Sequence, residues 1–184
     1  MSNKIAVIVG SLRKGSLNRK LAMQLIALAP KSLELQLVEI SDLALYNADL
    51  DEGSVPASWT RFREDMKKYQ GVLFLTPEYN RSVPGVLKNA IDVGSRPYGK
   101  SIWAGKPGAI ISVSPGAIGG FGANHHLRQS MVFLDVPLLQ QPEAYIGRAE
   151  ELFNEKGELV KEDTKKFMQS FLEKYADWVE RNVK

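Results

Sequence analysis

Cysteine is absent from the 184-residue chain, which excludes disulfides, thiolate nucleophiles and cysteine-ligated metal sites. Long apolar runs are missing too: none approaches the ~18 residues of a membrane span, and the stretch from Ile5 to Gly10 is too short for the core of a signal peptide. Lysine and arginine form no basic block with interleaved aromatics, the pattern typical of nucleic-acid-binding proteins. We therefore expect a cytoplasmic protein without membrane insertion and without a nucleic-acid partner.

What the chain does contain is the composition of an ordinary globular domain. Hydrophobic residues make up 44% of it and charged residues 24%. The length suits one α/β domain, and no repeat, linker or low-complexity tract divides the chain, so we expect a single domain over 1–184. The net charge of +3 is small, and it would help to attract small anionic substrates by long-range steering.

Two unbroken apolar runs, at residues 5–9 and 71–75, are typical of strands that are buried on both faces of a parallel sheet. A further interior strand is predicted at 109–113. The alternation of Leu33, Leu35 and Leu37 with polar residues predicts a strand with one wetter face, at a sheet edge. A short fifth strand is predicted at 136–139.

Apolar residues at helical spacing separate the predicted strands. Helices are predicted around 21–29, at about 57–69, from Pro84 onward, at about 121–134 and at 162–183. Residues 41–56 and 144–161 are expected to be exposed connections. This alternation predicts an α/β fold with a three-layer, doubly wound, five-stranded parallel sheet of order 2-1-3-4-5, whose ligand binds at the carboxyl ends of the strands.

The segment Gly10-Ser-Leu-Arg-Lys-Gly-Ser-Leu-Asn18 joins the first strand to the first helix. Backbone N–H groups in the first turn of a helix lack intrahelical partners and attract anions. Ser11, Ser16 and Asn18 add side-chain donors and Arg13 adds a cation, so the segment predicts a phosphate site. The alternative is a glycine-containing loop in which Ser16 or Asn18 caps the helix.

The pattern of this loop narrows the choice of phosphate. The Rossmann fingerprint G-x-G-x-x-G is absent, and Ser16-Leu17 stands where a nucleotide-triphosphate loop has Lys followed by Ser or Thr. Without that lysine and its neighbouring hydroxyl, triphosphate chemistry loses its charge neutralisation. A single terminal phosphate monoester is the better fit.

Two further polar loops follow buried strands, at 76–85 and 114–120, and we expect all three loops to converge at one edge of the sheet. Residues 77–80 offer backbone N–H groups to the edge of a planar heteroaromatic ring, and Tyr79 offers it a flat apolar surface. Alternatively, Tyr79 is an ordinary surface aromatic and Glu78 a solvated charge. His125 and His126 are adjacent and so about 100° apart on a helix, which rules out an i, i+4 metal pair, and no metal site is expected.

The first loop, together with Thr76-Pro-Glu-Tyr-Asn80 and Ser82-Val-Pro-Gly-Val-Leu-Lys-Asn-Ala-Ile-Asp92, resembles the NADPH-dependent FMN reductase family, and above all its bacterial quinone and chromate reductases. The resemblance extends through Ala104-Gly-Lys-Pro107 and His126-Leu-Arg-Gln129 as far as Glu143. It implies a flavodoxin-like fold and FMN that is bound tightly but not covalently.

The resemblance also implies contacts to FMN. The residues around its phosphate would be Ser11, Arg13, Ser16, Leu17 and Asn18. The isoalloxazine and ribityl groups would lie against Pro77, Glu78, Tyr79 and Asn80, with Ser114 on the far side of the ring. Arg81 stands where close relatives often carry an aromatic residue, and Ser114-Pro115 alters the third loop. Both departures border the expected substrate mouth and so concern substrate preference.

The implied activity is transfer of a hydride from NADPH or NADH to FMN, followed by two-electron reduction of a quinone. Chromate, azo compounds and free flavin are further implied acceptors. Because the cofactor carries the redox chemistry, no catalytic side chain is assigned. The family also implies a homodimer or homotetramer, in which Arg128 and Glu143 are either interface charges or solvated.

Two functions of other classes stay open from sequence alone. One is a flavodoxin-like electron carrier without a substrate of its own. Such carriers are usually strongly acidic, and the slightly basic charge of this chain argues against that interpretation. The other is a phosphate- or nucleotide-binding module without redox chemistry.

Overall fold

The computed structural model describes residues 2–183, which form a five-stranded parallel sheet with helices on both faces. The strands are β1 Asn3–Val9, β2 Leu33–Val38, β3 Gly71–Thr76, β4 Gly108–Val113 and β5 Ala144–Ile146. The helices are α1 Leu17–Leu28, α2 Ala48–Glu52, α3 Ala57–Met66, α4 Gly85–Gly94, α5 Phe121–Phe133 and α6 Glu162–Asn182, with a 3₁₀ turn at Ala149–Leu152. The order β2-β1-β3-β4-β5 confirms the predicted flavodoxin-like topology.

Two hydrophobic cores, one on each face of the sheet, produce the three layers. On one face α1 and α6 cover Ile5, Val7 and Leu73, and on the other α3, α4 and α5 cover Ala6, Ile8 and Phe74. Because successive side chains of a strand point to opposite faces, residues 5–9 of β1 and 72–75 of β3 must all be apolar to contribute to both cores. Within residues 2–183, no helix has both the length and the apolar character needed to cross a bilayer.

The prediction of a fifth strand at 136–139 was wrong. Pro137 lacks an N–H group, and this segment meets β4 only at its start, where Leu138 forms a single bridge with Gly108. The strand proper is β5, which pairs with Ile111 to Val113 of β4. The expectation that 144–161 is an exposed connection is therefore also wrong in its first half, where the apolar side chains are buried: Ala144, Ile146, Ala149 and Leu152.

The connection at 41–56 contains α2 and packs against α3 and α4 through Tyr46 and Asp51. The Tyr46 ring stacks on Trp59 at a centroid distance of 5.2 Å, and the Tyr46 N–H donates to Oδ1 of Asn89. Arg63 and Asp51 form an ion pair at 2.7 Å whose side chains are only 12% and 8% exposed. Trp59 is itself a fully buried core residue.

Tyrosine burial should make the protein less stable in alkali. Tyr175 is fully buried and donates to the carbonyl oxygens of Val72 and Pro107, and this burial raises its pKa well above the ordinary value. Burial, followed by the hydrogen bond and charge of Glu143, raises the pKa of Tyr145 to about 12. An unfolded tyrosine ionises near pH ~10. The stabilising effect of a protonated tyrosine is therefore complete below pH ~10 and is lost as the pH rises towards about 12.

Urea unfolding at pH 8 and pH 11 measures this effect. The wild type should lose more unfolding free energy between the two pH values than Tyr145→Phe does, because the variant has one fewer hydroxyl with a raised pKa. Equal losses in the two proteins would contradict the assignment to Tyr145.

Candidate active site

The first loop ends in a capped helix whose first amides are free. Ser16 is the N-cap of α1: its Oγ accepts the Arg19 N–H at 3.1 Å, and its carbonyl oxygen accepts the Lys20 N–H at 2.9 Å. In the described part of the chain, the N–H groups of Leu17 and Asn18 form no hydrogen bond. The capping alternative is thus correct for Ser16, and it leaves two amides for an anion.

Arg13 supplies the charge of this loop. Its side chain is exposed, and no carboxylate in residues 2–183 pairs with it. It lines the same cleft as Ser11 and Ser16. A guanidinium next to free helix amides favours a phosphate over a neutral ligand, because both groups act on the same negative charge.

The second loop is a tight hairpin. Tyr79 and Ser82 exchange backbone hydrogen bonds of 3.1 and 2.9 Å around Asn80 and Arg81, which have φ values of 49° and 64°. Two consecutive positive φ angles define a two-residue turn of type I′, a conformation that asparagine tolerates and arginine adopts rarely. The Tyr79 N–H is therefore already paired, so the expectation that residues 77–80 offer free amides does not hold at this position.

Glu78 attaches this hairpin to α5. Its carboxylate accepts the N–H of Ala123 at 3.0 Å, in the first turn of a helix whose N-cap, Gly120, has no side chain. It also faces Arg81 at 3.5 Å, and Ser82 Oγ lies 3.0 Å from Nδ1 of His126. The interpretation of Glu78 as a solvated charge was wrong, since the side chain is only 14% exposed and acts as a helix cap.

Replacing Glu78 tests this cap. We expect Glu78→Ala to lower the unfolding free energy by about 1–2 kcal/mol, because a buried helix amide loses its acceptor. Glu78→Gln keeps an acceptor oxygen and should lose less than half as much. Urea titrations of the two variants measure the difference. Equal stabilities for the glutamine and alanine variants would contradict the role of Glu78 as a cap.

The third loop folds back on β5. The Ser114 N–H donates to the Ile146 carbonyl at 2.9 Å, and Ser114 Oγ accepts the Gly116 N–H at 3.1 Å. Gly119 has a φ of +67°, and a β-carbon there would lie 2.5 Å from the carbonyl carbon of Tyr145. Only glycine allows this loop to lie so close to the edge strand.

The three loops converge at the carboxyl ends of β1, β3 and β4, as predicted. They surround a cleft of about 200 Å³. Its lining includes Ser11, Arg13, Ser16, Leu17, Asn18, Pro77, Glu78, Tyr79 and Ser114, and also Val113 and Pro115. Of the predicted site residues, Asn80 alone lies outside this lining, at the hairpin turn.

A second depression adjoins the cleft and shares Arg13 and Tyr79 with it. This groove has a volume of about 420 Å³, and its walls are mainly apolar. The other residues that line it are Gly10, Leu12, Pro84, Gly85 and Val86. The half-exposed ring of Tyr79 thus forms the boundary between a polar cleft and an apolar groove.

The histidines take part in side-chain contacts. His125 lies 2.9 Å from the Tyr145 hydroxyl and packs on Phe121, whereas His126 contacts Ser82. Within residues 2–183 there is no cluster of three or more side chains able to hold a metal ion. Arg128, a candidate interface charge, donates to Asn124 Oδ1 and to the Leu139 carbonyl.

Comparison with known proteins agrees with this geometry. The sequence profile of the NADPH-dependent FMN reductases matches residues 3–151. The chain belongs to this family. It is 61% identical, over 97% of its own length and 95% of the relative's, to a quinone reductase of Pseudomonas putida. It is also 49% identical to a 2-hydroxy-1,4-benzoquinone reductase of Burkholderia sp, with 97% of each chain covered.

A solved structure shows the same fold and chemistry class. The flavoenzyme FerB, an NAD(P)H:acceptor oxidoreductase of Paracoccus denitrificans, superposes with a TM-score of 0.91 at 43% identity, covering 98% of each chain. Members of the NADPH-dependent FMN reductase family bind FMN and depend on NAD(P)H. The expected cofactor, electron donor and enzyme class are therefore confirmed at the level of the family.

The residues of the cleft fit FMN. Two free helix amides, the Arg13 guanidinium and the hydroxyls of Ser11 and Ser16 form a donor set suited to a phosphate monoester. The buried Oδ1 of Asn18 has no partner within residues 2–183 and so calls for a hydrogen-bond donor from a ligand. Pro77 and the Tyr79 ring provide apolar surface for a planar group.

Proposed function

We propose that the protein is an FMN-dependent NAD(P)H:quinone oxidoreductase. The observation that carries the proposal is the convergence of three separate loops on one cleft with an anion-binding end and an aromatic end. The names of its relatives support a quinone as acceptor, since they are a quinone reductase and a 2-hydroxy-1,4-benzoquinone reductase. Chromate, azo compounds and free flavin would be secondary acceptors.

In this proposal the first loop holds the anionic end of FMN. Ser11, Arg13 and Ser16 contact the phosphate through their side chains, and Leu17 and Asn18 contact it through their free amides. The isoalloxazine and ribityl groups lie along Pro77, Glu78, Tyr79 and Asn80, with Ser114 on the far side of the ring. FMN supplies the two-electron chemistry, and the protein supplies binding, orientation and electrostatics. We assign no catalytic side chain.

The groove beside the cleft is the proposed position of the acceptor. Ligand sites usually have volumes of ~300–1,000 Å³, so the cleft alone is too small for FMN and a second substrate. The adjoining groove adds an apolar wall formed by Leu12 and Val86, and Tyr79 contacts both spaces. A flat, weakly polar molecule such as a quinone suits this wall better than a charged one does.

Spectra and steady-state assays of the purified protein test the proposal. We expect a yellow protein with an FMN absorption spectrum that consumes NADH or NADPH when benzoquinone is supplied. A protein that binds FMN but does not reduce benzoquinone would instead be an electron carrier. A colourless protein that does not bind added FMN would be a phosphate- or nucleotide-binding module.

We also propose that the enzyme is located in the cytoplasm, because NADH and NADPH are made and used there.

We further propose that the protein forms a homodimer or homotetramer through the face between α4 and α5. Two consecutive large apolar side chains at the end of α5 are exposed, Val132 at 78% and Phe133 at 74%, and Phe133 lines the crevice between the two helices. A cluster of this kind is typical of interfaces, where aromatic side chains contribute most of the binding energy.

Phe133→Asp tests this interface. We expect the variant to shift towards the monomer in light scattering coupled to size-exclusion chromatography, because association would bury the new carboxylate. The matched control is Val160→Asp, which adds the same charge at an exposed apolar residue elsewhere on the surface. A wild type that is itself monomeric, or a Phe133→Asp variant with unchanged mass, would contradict the proposed interface.

A further inference from the structure

The guanidinium of Arg81 lies at the rim of the cleft. Arg81 is at the tip of the hairpin, and its side chain is 75% exposed. Its Nη1 is 3.5 Å from Oε1 of Glu78, a residue that lines the cleft. In the part of the chain that the structure describes, this is the one hydrogen bond that the guanidinium makes. Because a guanidinium carries several N–H donors, most of them are free for a ligand at the mouth.

The fold itself does not require an arginine at this position. Arg81 has a φ of 64°, in a region that arginine adopts rarely and that glycine or asparagine adopts more easily. Its ion pair with Glu78 is long and exposed on the arginine side, and a pair of this kind contributes little to stability. The charge of Arg81 is therefore better explained by what approaches the cleft than by the hairpin that carries it.

The charges of the walls show what that charge does. Among residues 2–183, Glu78 is the only carboxylate and Arg13 the only cation that line the cleft or the groove beside it. In the proposed function Arg13 lies at the phosphate end of FMN, and Glu78 lies at the ring end. The Glu78 side chain is only 14% exposed, so water and salt screen its charge weakly. Alone, it would repel an anion at the ring end, and Arg81 offsets this repulsion.

We propose that Arg81 is a specificity-determining residue that favours acceptors with an anionic group, such as a quinone that carries a carboxylate, a sulfonate or an ionised hydroxyl. This inference rests on the proposed function and deepens it by naming the charge of the acceptor. The ring of such a quinone lies against the apolar wall of the groove, which Tyr79 borders two residues before Arg81. Its charged substituent reaches the rim, where a guanidinium can donate two parallel hydrogen bonds to it.

Two acceptors that differ by one charged group test this inference: naphthoquinone and naphthoquinone sulfonate. The sulfonate also changes the reduction potential of the ring, so the quantity to compare is the ratio of the two kcat/KM values in each protein. Arg81→Asn removes the charge and keeps a residue that tolerates the left-handed backbone. We expect it to lower the ratio of sulfonated to neutral quinone about tenfold, mainly through a higher KM for the sulfonate.

Three further variants accompany Arg81→Asn. Arg81→Lys keeps the charge and should retain most of the ratio. Lys14→Asn removes the same charge from an exposed residue that lines neither the cleft nor the groove, and it should change the ratio less than about twofold. Glu78→Gln should shift the ratio in the opposite direction, towards the sulfonate, because it removes the negative charge that Arg81 offsets.

A binding measurement separates recognition of the anion from turnover. Naphthalene sulfonate has the charge and the flat ring but no quinone oxygens. Its affinity for the protein in the presence of FMN is measured by calorimetry, and the wild type should bind it about tenfold more tightly than Arg81→Asn does.

An unchanged ratio in Arg81→Asn would overturn the inference, because Arg81 would then be a solvated charge. Equal changes in Arg81→Asn and Lys14→Asn would also overturn it, since the effect would come from the overall charge of the surface. A wild type that reduces neither quinone would instead refute the proposed function. In that case the affinity for naphthalene sulfonate still decides whether Arg81 holds an anion at the mouth.

Discussion

Replacing Arg13 by alanine is expected to weaken FMN binding roughly 10- to 100-fold while leaving the fold intact. Hydrogen bonds between a charged donor and a charged acceptor contribute ~1.5–3 kcal/mol, which corresponds to this range of affinity. The side chain is exposed and makes no ion pair within residues 2–183, so its removal disturbs no other contact of that kind. Titration of the apoprotein with FMN, followed by flavin fluorescence, measures the loss.

Lys14→Ala is the matched control for Arg13. Lys14 carries the same charge on the same loop but does not line the cleft, so it reports only the long-range attraction of the phosphate. That contribution should be small and should vanish at high salt, because exposed charges are screened. Equal losses for the two variants would show that Arg13 acts through the overall charge of the loop and makes no direct contact.

The largest expected effect on stability comes from Trp103. Its ring is fully buried, lies 5.7 Å from Phe74 and 6.0 Å from Phe62 between centroids, and its Nε1 donates to the Ile91 carbonyl at 3.0 Å. We expect Trp103→Ala to lower the unfolding free energy by about 3–5 kcal/mol, because it opens a cavity in the core and removes the hydrogen bond to the Ile91 carbonyl. Urea denaturation followed by circular dichroism measures this loss.

Tyr98→Ala is the control for Trp103. It removes an aromatic ring from the same connection between α4 and β4, but from a residue that is 78% exposed. Its unfolding free energy should change by less than ~0.5 kcal/mol. A loss below 2 kcal/mol for Trp103→Ala would mean that this ring packs less completely than the structure shows.

Much of the fold could be predicted because the interior strands carry an unambiguous pattern. β1 and β3 are apolar at nearly every position, and this occurs only where both faces of a strand are covered. The fifth strand could not be located in this way. β5 has three residues, too few to show a period, and the apolar residues near Pro137 gave a stronger signal at the wrong place.

The position of the site was also predictable, since the loops that follow parallel strands share one edge of the sheet. The individual contacts were not. The hydrogen bond between the Glu78 carboxylate and the Ala123 N–H joins residues 45 positions apart, so no local sequence pattern predicts it. The one available signal was the pair Gly119-Gly120 before α5, which left that helix without a capping side chain. The pairing of Tyr79 with Ser82 and the orientation of the Asn18 amide likewise depend on tertiary contacts.

The attachment of the hairpin to α5 holds the base of the hairpin in place and leaves its tip free to vary in sequence. Glu78 and Ser82 fix the base of the hairpin, whereas Arg81 lies at its tip with a side chain that is 75% exposed. A substitution at the tip therefore changes an exposed side chain without breaking the contacts that hold the base of the hairpin. If the proposed function is correct, position 81 is a suitable place to vary acceptor preference, provided that the new residue tolerates a left-handed backbone.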